Sequence, residues 1–335
     1  MTEASTPLMQ NLSKLEADYS VEPSFEVARA MIDLRISGGP IAAGGGAPTV
    51  TEEHDHRFDG LEHLPEIGLE HLDVGSLRAG ILGKGALIVR NFMADDTVKF
   101  LREHIDNSLR SPNRLGQECP DGDPHDPWFC RSPMIAGGAP GPARVRGGDL
   151  SSTSGSLWTV DAPVAAAELV AFYKQVGLHR LLQTYFREQA LLSVRKWVLR
   201  CVPPIRGGNK GWHQDGRFMG AGIRTVNLWI ALTDCGTGMP APGLELVADS
   251  RRVIHETGTH GAFFDWTVGP DLVAKLSQER PVVCPTFRAG DAILFDHFSL
   301  HRTGEGPHDT EPRYAVESWF FAASTAPTKQ QPLLF

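Results

Sequence analysis

Cysteine is scarce in this sequence: five residues, at positions 119, 130, 201, 235 and 284, scattered and without a Cys-x-x-Cys pair. That pattern argues against a disulfide framework and against a zinc ribbon, and it fits a reducing, cytoplasmic setting. No run of 18 apolar residues occurs, so no transmembrane helix and no membrane partner are expected. The opening residues, MTEASTPLMQ, lack the basic and apolar stretches of a secretory leader. Positive charge is not in excess, since 32 Lys and Arg stand against 40 Asp and Glu, a net charge of −8. A nucleic-acid partner, which would need a basic face, is not expected. Internal repeats are absent. Neither Gly44-Gly45-Gly46 nor Gly207-Gly208 sits between a strand and a helix as a phosphate loop would.

What is present describes an ordinary globular chain of 335 residues, 41% hydrophobic and 21% charged. A chain of this length buries about three quarters of its unfolded surface, enough for a core without staples. Its 35 Gly and 24 Pro cut it into short segments, as a β-rich fold with many turns requires.

Residues 1–74 read as an N-terminal extension and linker. One helix is predicted over 24–36, with Ser24 as cap and Val27, Met31 and Leu34 at helical spacing, ending at Ser37-Gly38-Gly39-Pro40. The stretch to Pro48 reads as flexible linker, and the acidic segment with His54 and His56 as a solvated loop. From about residue 75 a folded domain begins, with a buried strand over 85–92 and an amphipathic helix over 95–109 capped by Asp95 or Asp96. Residues 111–157 carry no period and are long enough to be a lid or binding loop. Helices follow, one starting at Asp161-Ala-Pro163 and ending at Gly177, the next over 178–188. Strands are predicted over 191–202, 225–234, 244–249, 280–287, 291–296 and 313–322; in the second, Val226, Leu228, Ile230 and Leu232 share one face and Asn227 and Trp229 the other. The fold class expected is mainly β with buttressing helices: a double-stranded β-helix, the cupin-like jelly roll, over 75–325, with 326–335 as a tail.

The strongest chemical signal is Gly211-Trp212-His213-Gln214-Asp215-Gly216. On an extended chain residues i and i+2 point the same way, so His213 and Asp215 can grip one metal. A third imidazole is available far downstream, in His297 or His301. Two His and one carboxylate on one face of an ion, with open positions opposite, is the arrangement of non-haem Fe(II) oxygenases.

His213-x-Asp215, His301 88 residues later and Arg313 a further 12 on together resemble the phytanoyl-CoA dioxygenase family of Fe(II)- and 2-oxoglutarate-dependent oxygenases. Three further segments are similar to that family: residues 227–234, the turn and strand 289–295, and 80–107. The resemblance covers roughly 75–325. It implies Fe(II) on His213, Asp215 and His301, with 2-oxoglutarate and O2 as co-substrates. It also implies that Arg313 and Thr303 hold the distal carboxylate of the keto acid and that Trp229 walls it. His301 is favoured over His297 because Thr303 and Arg313 follow it at the family's spacing; His297 is expected to be a nearby structural imidazole. Lys196 and Arg200 are candidates for the other carboxylate or for substrate, and Arg217, Phe218 and Met219 for facing substrate. The activity implied is dioxygenation, most simply hydroxylation, of a small organic molecule with release of succinate and CO2, by a monomer or weak homo-oligomer. Where the family commonly has Pro-Gly-Ser-His, this chain has Val247-Ala-Asp-Ser-Arg-Arg252, and the usual Asn after the distal His is missing from 304–308, so no substrate is implied. Two other classes would use the same residues: a zinc hydrolase, which needs neither Arg313 nor 2-oxoglutarate, and a catalytically silent jelly-roll binding protein. His255 and His260 are weaker pocket candidates.

Overall fold

The computed structural model describes residues 5–43, 53–115, 126–135, 155–204, 211–249, 251–304 and 309–335. In chain order the elements begin with helices α1 (Ser5–Val21) and α2 (Phe25–Ala42), strands β1 (Glu66–Gly68) and β2 (Ala86–Arg90), and helix α3 (Asp95–Arg110). Next come β3 (Ser156–Trp158), α4 (Pro163–Gln175), α5 (Leu178–Phe186), β4 (Ala190–Val202) and β5 (Thr225–Ala231). Then follow β6 (Leu244–Val247), α6 (Pro270–Leu276), β7 (Val282–Val283) and β8 (Ala292–Phe295). The chain closes with β9 (His301–Thr303), β10 (Arg313–Ala322) and β11 (Pro332–Leu334). No helix among the described residues is long and apolar enough to cross a membrane. Much of the expected lid, 116–125 and 136–154, lies outside the described residues, as do both glycine runs.

Two compact units divide the chain: residues 1–49, 100–201 and 317–335 form one, and 50–99 with 202–316 form the other. The second unit holds the smaller sheet and part of the larger one. One of its sheets has the order β1-β2-β8-β5 and goes on to the first residues of β10. β1 joins β2 in parallel, and the β2–β8 and β8–β5 pairs are antiparallel. The smaller sheet runs β7-β6-β9, antiparallel throughout, and a further bridge joins His213 to His301. β5 is buried along its whole length, which is why its sequence is apolar on both faces apart from Thr225 and Asn227. At the start of β8, Asp291 accepts hydrogen bonds from the Arg288 and Asn91 amides at 2.9 Å and from Arg90 at 2.6 Å. Its carboxylate thus fixes the turn before the strand to the end of β2. The predicted 280–287 strand shrinks to two residues, interrupted by Pro281 and Pro285.

In the first unit β4 lies between β10 and β11, with β3 also paired to it. The helices here correct two expectations. α1 was not foreseen, and α2 does not stop at residue 36 but runs through Gly38-Gly39-Pro40 to Ala42. The two glycines are a close approach. A Cβ on Gly39 would lie 1.8 Å from the Pro332 carbonyl oxygen, and one on Gly38 would lie 2.4 Å from Leu334 Cδ1. The residues read as a tail are what α2 packs on: Leu333, Leu334 and Phe335 are buried, and the buried Arg35 donates to the Leu334 carbonyl at 3.0 Å while pairing with Glu16. Helix propensity alone would make Gly39→Ala stabilising by up to about 1 kcal/mol. Here the opposite sign is expected, a loss of about 2–3 kcal/mol from overpacking, read as a lower urea midpoint.

The start of α4 also differs. Its cap position is Ala162, with no side-chain cap, because Asp161 is turned toward the preceding loop, where it accepts the Ser132 amide at 3.1 Å. Burial raises its pKa to about 6. Gly177 ends α4 in the left-handed region, φ 74°, as the sequence indicated.

Candidate metal centre

The geometry begins with a backbone rung. The His213 amide donates to the His301 carbonyl at 2.9 Å and the His301 amide returns a bond to the His213 carbonyl at 3.0 Å. Such a mutually bonded antiparallel pair places both side chains on the same face; the ring centroids are 4.4 Å apart. Alternation sends the neighbours the other way, so Trp212 joins Val247, Val268 and Leu300 in a buried cluster and Arg302 lies 4.8 Å over the Trp212 ring. Asp215 is 1% exposed and opens the short helical turn Gly216–Met219, not a continuing strand. Its carboxylate still turns inward, with Oδ2 3.6 Å from His301 Nε2. Ligand atoms of His213, Asp215 and His301 all lie within 4.8 Å of one another.

The imidazoles are oriented for lone-pair donation. His213 Nδ1 is 2.7 Å from the Gly211 carbonyl, and His301 Nδ1 is 3.0 Å from the Ser299 carbonyl. A carbonyl only accepts, so each Nδ1 carries a proton and the neutral ring keeps its lone pair on Nε2, which in His301 lies 3.6 Å from Asp215 Oδ2. Gly216 is obligatory beside them. Its amide donates to the His297 carbonyl at 2.9 Å, and a Cβ there would meet Ile254 Cδ1 at 2.5 Å and the His297 carbonyl oxygen at 2.9 Å.

His297 has another occupation. Its Nδ1 accepts from the Thr225 hydroxyl at 2.9 Å and its Nε2 donates to the Ala221 carbonyl at 3.2 Å, so neither nitrogen has a lone pair to offer. It is fully buried, and that burial pushes its pKa down to about 4. A depressed imidazole pKa means stability present above about 6.5 and lost as pH falls through 4, of the order of 3 kcal/mol if the whole shift is realised. Urea unfolding at pH 7 and at pH 4.5 should show this loss in the wild type and a smaller one in His297→Gln.

The expected keto-acid residues come together around Arg313, which is 3% exposed at the start of β10. One terminal nitrogen donates to the Gly243 carbonyl at 2.8 Å, the other to Thr303 Oγ1 at 3.3 Å, and the guanidinium carbon lies 5.5 Å over the Trp229 ring. Trp229 is braced edge-on by Phe287 at 5.1 Å. Lys196 and Arg200 sit on β4 in the first unit, where Arg200 pairs with Glu317 at 2.7 Å. His54 and His56 share the carboxylate of Asp59 at 3.0 and 2.7 Å on an exposed loop. His255 is half-buried, with its pKa lowered by burial, and His260 pairs with Glu256 at the surface.

Two residues were not foreseen as part of the site. Gln214, between the two ligands, is 2% exposed; its amide nitrogen donates to the Val253 and Phe298 carbonyls at 2.8 and 2.6 Å, and its oxygen accepts from the His255 amide at 2.7 Å. Asn227 is 1% exposed on the Trp229 face of β5, and its side-chain oxygen meets no donor among the described residues. A polar residue beside Trp229 on one face of a mostly apolar strand was the available signal for it.

Residues 154–308 match the family model for Phytanoyl-CoA dioxygenase (PhyH). No curated relative matches the chain in sequence. Among solved structures, EctD from S. alaskensis with bound Fe is 17% identical, with a TM-score of 0.50 over 74% of this chain and 75% of that chain. EctD from S. alaskensis with 2-oxoglutarate and 5-hydroxyectoine is also 17% identical, with a TM-score of 0.49 over 74% of each chain. The non-heme alpha ketoglutarate dependent carbocyclase SnoK from nogalamycin biosynthesis is 15% identical, with a TM-score of 0.48 over 76% of this chain and 86% of that one. At such identities the first of these likenesses is one of fold, and the family match carries the assignment. Residues 154–308, over which the chain is similar to the phytanoyl-CoA dioxygenase (PhyH) family, hold His213, Asp215, Trp229, His301 and Thr303.

Proposed function

We propose that His213, Asp215 and His301 hold Fe(II) and that the protein is a 2-oxoglutarate-dependent dioxygenase that hydroxylates a small organic substrate. The observation that carries this is the tautomer pattern: both Nδ1 protons are held by backbone carbonyls, so two Nε2 lone pairs converge with one buried carboxylate. The donor set fits a divalent metal of borderline softness, and holding the outer ring nitrogen by a carbonyl is how metal-binding imidazoles are usually oriented. With Fe(II) bound, 2-oxoglutarate and O2 would supply the oxidising power, the keto acid leaving as succinate and CO2 with one oxygen atom of O2 in the succinate and the other in the product hydroxyl.

The protein's own part is positioning and the exclusion of water. Arg313 is fixed by the Gly243 carbonyl with its plane over Trp229, so its fork can receive the distal carboxylate of the keto acid with Thr303 as a second donor. The Asn227 oxygen calls for a donor from a bound molecule or water on that same face. Arg313, Thr303 and Trp229 have no task in a zinc hydrolase, and a silent binding protein would not need a buried carboxylate between two lone pairs. Anaerobic addition of Fe(II) and 2-oxoglutarate should produce a visible charge-transfer band, followed on aeration by substrate-dependent succinate release. Zinc-supported hydrolysis without any such band would overturn the reading.

A further inference from the structure

Next to the metal centre stand four aromatic side chains that water reaches. Phe218, Phe263, Phe264 and Trp266 are 37, 62, 45 and 38% exposed, and no other Phe or Trp among the described residues is as open. They are contiguous. Trp266 meets the His213 ring edge-on at 6.0 Å, and Phe218 lies 6.4 Å from that ring and 6.1 Å from Trp266. Phe264 stacks on Trp266 at 5.4 Å with 9° between the planes, and Phe263 stands edge-on to Phe264 at 4.7 Å. A file of rings therefore leads from a metal-ligand imidazole out to solvent.

The segment that carries them is held in place. The Val268 amide donates to the Trp212 carbonyl at 2.9 Å, which ties it to the residue before His213. The buried Thr267 closes the turn through its hydroxyl bond to the Phe264 carbonyl at 2.9 Å, and its own carbonyl accepts the Gly258 amide at 2.9 Å. Apolar surface displayed on a fixed loop marks a place where something binds, and its continuity with the metal centre says what. Ring faces and edges select for flat ring systems over saturated groups of equal area, because stacking adds a quadrupolar contribution to area burial.

We infer that Phe218, Phe264 and Trp266 form a stacking platform for a planar aromatic substrate, with Phe263 as its outer edge. This rests on the proposed metal centre for calling the bound molecule a substrate, and not for the stacking itself.

The test uses the full chain, first without metal. Binding of 2-naphthol is compared with binding of its saturated counterpart 2-decalol, by calorimetry. The aromatic ligand is expected to bind about tenfold more tightly. Trp266→Ala should erase most of that preference while Trp266→Phe retains it. Equal affinity for the two alcohols, or a preference untouched by Trp266→Ala, would overturn the platform. So would a dimer in sedimentation that Trp266→Ala dissociates, since the rings would then cover a second copy. Preference for naphthol without any Fe(II) band leaves the platform standing and removes the metal reading alone.

Discussion

Asp215→Gly is expected to abolish substrate-dependent succinate release and to weaken Fe(II) binding by more than about 100-fold, beyond the loss seen when residues that only orient metal ligands are changed. The carboxylate is the only anionic group in the cluster and is almost wholly buried, so no neighbour can take its place. The two imidazoles would survive the change, because the backbone rung between His213 and His301 sets their positions. Far-UV circular dichroism should therefore match the wild type while turnover is lost. Asp215→Glu keeps the charge but lengthens the arm by about 1.5 Å, against a tolerance of about 0.5 Å for catalytic geometry; strong impairment is expected. His301→Ala should resemble Asp215→Gly, whereas His297→Ala should retain measurable iron binding. Wild-type turnover in Asp215→Gly would refute the metal assignment.

Arg313→Lys should raise the apparent KM for 2-oxoglutarate by roughly 30-fold or more, the equivalent of about 2–5 kcal/mol for truncating one side of a buried charged pair. Lysine keeps the charge. It cannot donate at once to the Gly243 carbonyl, to Thr303 and to a carboxylate in one plane, nor stack on Trp229. Fe(II) affinity measured without the keto acid should be unchanged, since Arg313 is not among the clustered ligands. An unaltered KM would remove the carboxylate role from this residue.

The jelly roll and the cluster of His213, Asp215 and His301 were readable because strand periodicity is local. Alternation in residues 225–232 puts Asn227 and Trp229 on one face, and the resemblance to the family's spacing to Thr303 and Arg313 favoured His301 over His297. What sequence could not show depends on distant partners. Gly38-Gly39-Pro40 has the composition of a helix stop, and only the Pro332 carbonyl 1.8 Å from the site of a Cβ explains why the helix continues. Asp161 has the residue type of a cap but is used by a loop nearly 30 positions earlier. Gln214 falls on the far side of the alternation and reads as a spacer, yet it is fully engaged with residues about 40 and 84 positions away. The aromatic segment after Arg252 has no period at all, so nothing in its order announced a surface.

Gln214 has a thermodynamic consequence. The dipeptide steps on either side of it carry the two metal ligands, and its amide holds the segment at Val253 and His255 that leads into the aromatic loop. Strain applied at one end of this clamp is felt at the other. Whatever factor an arriving loop ligand adds to metal affinity, the metal must add to the affinity for that ligand, because the two bindings close one free-energy cycle. In Gln214→Ala the cycle still closes, but with the clamp gone the shared factor should fall toward one, leaving each affinity the same whether or not the other partner is present.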